Sequence, residues 1–123
     1  MRDNILLNKS FRFAIRVVNL YKHLSNNKKE FILSKQLLKC GTSIGANIHE
    51  AQEGQSRADF ISKLSISLKE ARETMYWIEL LKETNYLTQK EADSILKDLV
   101  ELIKLLVTII KTTKEKSKME NKK

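Results

Sequence analysis

Gln36-Leu-Leu-Lys-Cys-Gly-Thr-Ser-Ile-Gly-Ala-Asn-Ile-His-Glu-Ala-Gln52 decides the fold. Leu37, Gly41, Ile44, Ile48 and Ala51 recur at the three-and-four spacing of a buried helical stripe. Gly41 and Gly45 lie four apart on one face of that helix, where each costs about 1 kcal/mol relative to alanine. Such a cost is offset when the missing side chains let a neighbouring helix approach closely. The stretch therefore reads as a helix built to be packed on. Folding the chain back about Gly54 sets Gly41 opposite Leu68 and Gly45 opposite Leu64, so large residues of the third helix are expected to fill the glycine hollows.

The surrounding sequence supplies three more helices. The first is expected over about Asn8 to His23, with Phe11, Ala14, Val18 and Tyr21 on its buried stripe and Val17 and Leu24 beside it. A polar break at Ser25 to Lys29 separates it from the second, expected over Glu30 to Gln52, with Gly54 in the left-handed position that ends a helix. Ser56-Arg-Ala-Asp59 resembles a capping box and opens the third. Its apolar positions Ile61, Leu64, Leu68, Ala71, Met75 and Ile78 alternate steps of three and four, the seam of a bundle. After a turn at Asn85 to Leu87, Thr88-Gln-Lys-Glu91 is a second capping box and starts the fourth helix. That helix carries two adjacent stripes, Ala92, Ile95, Leu99, Leu102, Leu106, Ile109 and Leu96, Val100, Ile103, Val107, Ile110. One helix of a monomeric bundle needs a narrower apolar arc, so part of this surface is expected to meet another subunit.

With 123 residues, no proline and three glycines, the chain suits one helical domain and excludes two. The bundle is assigned to residues 1–114 and a basic, disordered tail to 115–123. Apolar runs are too short for a membrane span of about 20 residues. The opening segment is too short in apolar residues for a signal peptide, and Cys40 stands alone, so a cytoplasmic location is expected.

At these positions the sequence resembles a known family. Ser10-Phe11-x-Phe13-Ala14, the Gln36 to Ala51 stretch, Ser56-x-Ala-Asp-Phe60-Ile-x-Lys63-Leu-Ser-Ile-x-Leu-Lys69-Glu70-Ala and Glu73-Thr-x-Tyr-Trp-Ile-x-Leu-Leu81 are similar to the four-helix-bundle proteins encoded in intervening sequences of bacterial 23S rRNA genes. The likeness runs from about Asn4 to Thr112. It implies an antiparallel up-down four-helix bundle that assembles into a homopentameric ring. A branch similar in fold is the accessory protein of diversity-generating retroelements, a basic pentamer that binds a reverse transcriptase and nucleic acid. A reverse transcriptase is thus one partner that the resemblance implies.

Catalytic signals are weak. His49-Glu50 lacks the second histidine of the zinc-protease spacing, because position 53 is glutamate, and His23 is on another helix. Cys40 has no histidine close in sequence and reads as a packed thiol. Thr42, Ser43 and Asn47 read as side chains bonded to helix carbonyls rather than as a ligand pocket. Gly41-x-x-x-Gly45 lacks the Gly-Lys-Ser/Thr ending of a phosphate loop. The residues predict no enzyme, no metal and no cofactor.

Charge is the stronger signal. The chain carries 23 Lys/Arg against 15 Asp/Glu, a net charge of +8. Residues 1–29 hold seven Lys/Arg against one acid, and residues 88–123 hold nine against six. Lys9, Arg12, Arg16 and Lys22 on the first helix, and Lys111, Lys114 and Lys118 on the fourth, are therefore the candidate nucleic-acid-binding residues. Lysines at 90, 97, 104, 111 and 118 recur once per heptad and fit either a solvated bundle face or a phosphate-tracking ridge. Tyr76-Trp77 points two rings in different directions, one for the core and one for an interface or a stacked base. The expected function is a non-enzymatic, oligomeric bundle contacting RNA or DNA as an accessory factor to a nucleic-acid enzyme; its rival is a pure assembly scaffold that ignores nucleic acid.

Overall fold

The computed structural model describes residues 2–121. Four helices follow one another, α1 Arg2–Asn26, α2 Leu33–Gln52, α3 Arg57–Glu83 and α4 Gln89–Asn121. Each packs antiparallel to the next, and α4 closes back on α1 through the lightest of the four contacts. The fold is an up-down four-helix bundle, as the seams predict. α4 continues as helix through residues 115–121, where the sequence predicts a disordered tail, and Arg57 at the start of α3 pairs with Glu120 there. The last two lysines of that tail, 122 and 123, lie outside the described residues.

The turns are specified locally. Thr88 and Glu91 form the reciprocal box: Glu91 N–H donates to Thr88 Oγ1 at 3.1 Å, and Thr88 N–H donates to Glu91 Oε1 at 2.8 Å. That backbone bond from Thr88 holds the Glu91 carboxyl below the usual carboxylate range. At the α3 start, Asp59 N–H donates to Ser56 Oγ at 3.1 Å, and the Asp59 carboxylate accepts from Gln55 N–H rather than from Ser56. α3 ends in a Schellman motif, with Tyr86 N–H on the Leu81 carbonyl and Asn85 left-handed at φ 68°.

Glu30 does what no hydroxyl does for α2. The sequence places it as the first helical residue, yet α2 begins at Leu33 and the Glu30 side chain caps it. Its carboxylate accepts from Ile32 N–H at 3.1 Å, Leu33 N–H at 2.8 Å and Ser34 N–H at 2.7 Å. Burial alone pushes this carboxyl up, but the three amides together outweigh burial and hold it below the usual range.

The glycines of α2 face α1, which corrects the pairing predicted with Leu68 and Leu64. A Cβ on Gly41 would stand 2.8 Å from both Val17 methyls, and one on Gly45 would stand 3.4 Å from the Ser10 carbonyl oxygen. Turn arithmetic treats both neighbours of α2 alike, so it could not choose between them. Toward α3, α2 presents Ile44 and Ile48, fully buried with Leu64, while Leu68 is only half-buried. Ser67 crosses this seam, its hydroxyl donating to the Ile44 carbonyl at 2.8 Å. The α3 seam is Leu64, Ser67, Ala71, Thr74, Ile78 and Leu81. Its two polar members, Ser67 and Thr74, take the places predicted for Leu68 and Met75, which with Ile61 are partly buried at its edge.

On α1 the core stripe is Leu6, Ser10, Phe13, Val17 and Leu24, whereas the predicted Phe11 is 68% exposed. The flank of α1 that meets the glycine surface of α2 is the one carrying Val17 and Ser10. Gly54 has no positive φ, contrary to the left-handed cap predicted for it. It is small because a Cβ would meet the Ala51 carbonyl oxygen at 3.0 Å.

Three stability outcomes follow from these contacts. Gly41→Ala is expected to lower unfolding stability in urea by about 1–2 kcal/mol, because overpacking against Val17 exceeds the gain in helix propensity. Gly45→Ala, with contacts of ordinary length, is expected to be neutral or stabilising by up to about 1 kcal/mol; equal losses at both sites would contradict the packing. Glu30→Gln is expected to cost about 1 kcal/mol at pH 7. Because the folded carboxyl titrates below its unfolded value, that difference is fully present above about pH 4.5 and narrows as pH falls through the folded value. Urea titrations of both proteins at pH 7 and pH 4 check the narrowing.

Candidate nucleic-acid interface

The structure separates the predicted cations into two groups. On α1, Lys9 pairs with Glu101 of α4. Arg16 donates to Asp98 Oδ2 at 2.6 Å, to Ser94 Oγ at 2.8 Å and to the Ser94 carbonyl at 3.1 Å. Farther along, His23 Nε2 stands 3.8 Å from Glu91 Oε2. These side chains tie α1 to α4 and are occupied with cohesion. Arg12 and Lys22 are exposed and make no ion pair among the described residues.

On α4 the geometry is different. Lys90, Lys97, Lys104, Lys111 and Lys118 all stay exposed, as their heptad spacing predicts. Lys111, Lys114 and Lys118 share a groove of about 480 Å³ between α3 and α4 with Arg72. Its floor is Leu68, Val107 and Ile110, and Glu115 is the single acid on its wall. Val107 is 41% exposed, so the second apolar stripe of α4 surfaces here between cations. Arg72 was not a sequence candidate, because α3 is charge-balanced. The signal that finds it is its place opposite Lys111 once α3 and α4 are antiparallel.

Tyr76 lies one helical turn from Arg72 on the same face of α3 and is 59% exposed. Trp77 is half-buried, its ring edge-on to Tyr76 with centroids 5.1 Å apart and its Nε1 donating to Glu73 Oε2 at 3.3 Å.

The remaining candidates pack or bond locally. Cys40 is buried, and burial first, then the Glu73 and Glu70 carboxylates, push its thiol up, away from a reactive thiolate. Thr42 donates to the Leu38 carbonyl, Ser43 to Lys39 and Asn47 to Ser43, all within α2. Among the described residues no three His, Cys, Asp or Glu side chains come together as a metal site. No described helix is long and apolar enough to cross a membrane.

Over residues 2–108 the chain matches the family model described as 23S rRNA-intervening sequence protein. The chain belongs to that family. The chain also matches the crystal structure of a protein of unknown function from the S23 ribosomal protein family of Bacteroides thetaiotaomicron. The two are 59% identical, with a TM-score of 0.89 over 90% of this chain and 99% of that one. No curated protein matches. The family and this neighbour therefore support the bundle, and the groove's chemistry has to be read from its own residues.

Proposed function

We propose that this protein is a non-enzymatic, oligomeric bundle that holds RNA or DNA by its phosphates. The observation that carries the reading is the α3–α4 groove, where Arg72, Lys111, Lys114 and Lys118 face solvent beside one acid. Lysine and arginine neutralise phosphates without reading bases, and counterion release drives binding. Assembly of like chains into a ring, the homopentamer of the family resemblance, would repeat this groove around one particle and raise its positive field. Such a particle suits an accessory role beside a nucleic-acid enzyme such as a reverse transcriptase.

The rival reading, an assembly scaffold without nucleic-acid contact, draws on a second surface. Between α1 and α2, Ala14, Gly45 and Ala46 line a groove of about 720 Å³ beside the exposed Phe11, with no lysine or arginine in its lining. A face that carries Glu50 and no lysine or arginine is where copies of a +8 chain can meet with least repulsion.

Filter binding of mixed RNA separates the readings. The nucleic-acid reading expects retention at physiological salt and a log–log salt slope of about −0.7 to −0.9 per phosphate contacted. Changing Lys111, Lys114 and Lys118 together to glutamine is expected to flatten that slope by about two units. Arg16→Gln is expected to loosen α1 from α4 and leave the slope nearly unchanged. Absence of RNA retention by a protein that still self-associates favours the scaffold.

A further inference from the structure

We infer that the α3–α4 groove takes single-stranded nucleic acid, with an unpaired base stacked on Tyr76 and the adjoining phosphates held by Arg72, Lys111, Lys114 and Lys118. This rests on the nucleic-acid reading above and adds the strandedness of the ligand and the residue that senses it. Charge alone is indifferent to strandedness, but two other features are not. Tyr76 presents 59% of its surface to solvent one turn from Arg72, braced edge-on by Trp77 at 5.1 Å. Apolar surface is exposed between the cations, with Val107 at 41%. A duplex keeps its base faces inside its own stack and can cover neither feature, whereas a single strand offers both bases and phosphates. The helical rise puts about 10 Å between Lys111 and Lys118 and about 6 Å between Arg72 and Tyr76. Together these spans, about 16 Å, hold about five nucleotides at a stacked spacing of about 3.4 Å. Beyond Tyr76, α3 continues with Glu79 and Glu83, acids that end the track on that side.

Fluorescence anisotropy of the full chain with a labelled 12-mer, as RNA and as DNA, and with the duplex of the same sequence, tests the inference. The strand is expected to bind more tightly than the duplex in at least one of the two sugars. Tyr76→Ala, at an exposed position, is expected to weaken strand binding about tenfold, leave duplex binding unchanged and leave the salt slope unchanged. Trp77 fluorescence is expected to change on addition of the strand and not of the duplex. Duplex binding as tight as strand binding, or an unaltered Tyr76→Ala variant, overturns the single-strand site while the phosphate reading stands. Retention of neither form, with an acidic amphipathic peptide held instead, overturns both.

Discussion

The approach of α1 to α2 at Val17 and Gly41 is the contact on which the other surfaces depend. With the Val17 methyls 2.8 Å from where a Cβ would stand, α1 is pressed onto α2 along the Ser10 to Val17 flank. Glycine costs helix stability in isolation, and the fully buried Val17, Ile44 and Ile48 around it offset that cost by removing apolar surface from water. The contact of α1 with α4 is the lightest in the bundle. Long side chains bridge that side instead, Lys9 to Glu101 and Arg16 to Asp98 and Ser94. Cohesion and charge are therefore coupled. Lys9 and Arg16 of α1 meet the acids on one flank of α4, and the lysines on the other flank keep their charge for solvent or a ligand.

This division explains why the two basic segments are not equivalent. Lys9 and Arg16 look at least as available in sequence as Lys111 and Lys118, since no acid lies within four residues of either on α1. Distance in sequence hides Asp98 and Glu101, which the antiparallel closure brings opposite them. Exposed pairs of this kind contribute little to stability each, on the order of 0–1 kcal/mol. Their larger consequence is electrostatic, because a cation beside a carboxylate adds little to the field that a phosphate meets. The groove of Arg72, Lys111, Lys114 and Lys118 has only Glu115 to offset it.

Much of the fold is legible in residue spacing, and the failures have a common cause. The capping box at Thr88 and Glu91 is local chemistry, and the α4 seam is buried from Ala92 through Leu106 as its period predicts. What spacing cannot give is the identity of the facing helix. Gly41 announces a close approach, but only the assembled bundle shows that Val17 makes it. Phe11 and Phe13 differ by two positions, and hydrophobicity alone favours neither; Phe13 is buried and Phe11 is not. Ser67 and Thr74 are missed for the opposite reason, since a stripe drawn from apolar residues skips polar members of a strict heptad. Their hydroxyls are satisfied by the Ile44 and Glu70 carbonyls, which removes the usual penalty for burial. For the candidate site, α4's lysines are visible in sequence, while Arg72 joins them only through the antiparallel register of α3.

The central claim is that Lys9 and Arg16 of α1 serve cohesion and the α3–α4 cations serve a ligand. Lysine acetylation read by mass spectrometry, with and without single-stranded RNA, measures this directly. Lys111, Lys114 and Lys118 are expected to be reactive alone and shielded by RNA, with Lys9 slow to react in both cases. Shielding concentrated on Lys9 and Lys22, or a reactive Lys9 beside unchanged α4 lysines, would contradict the account.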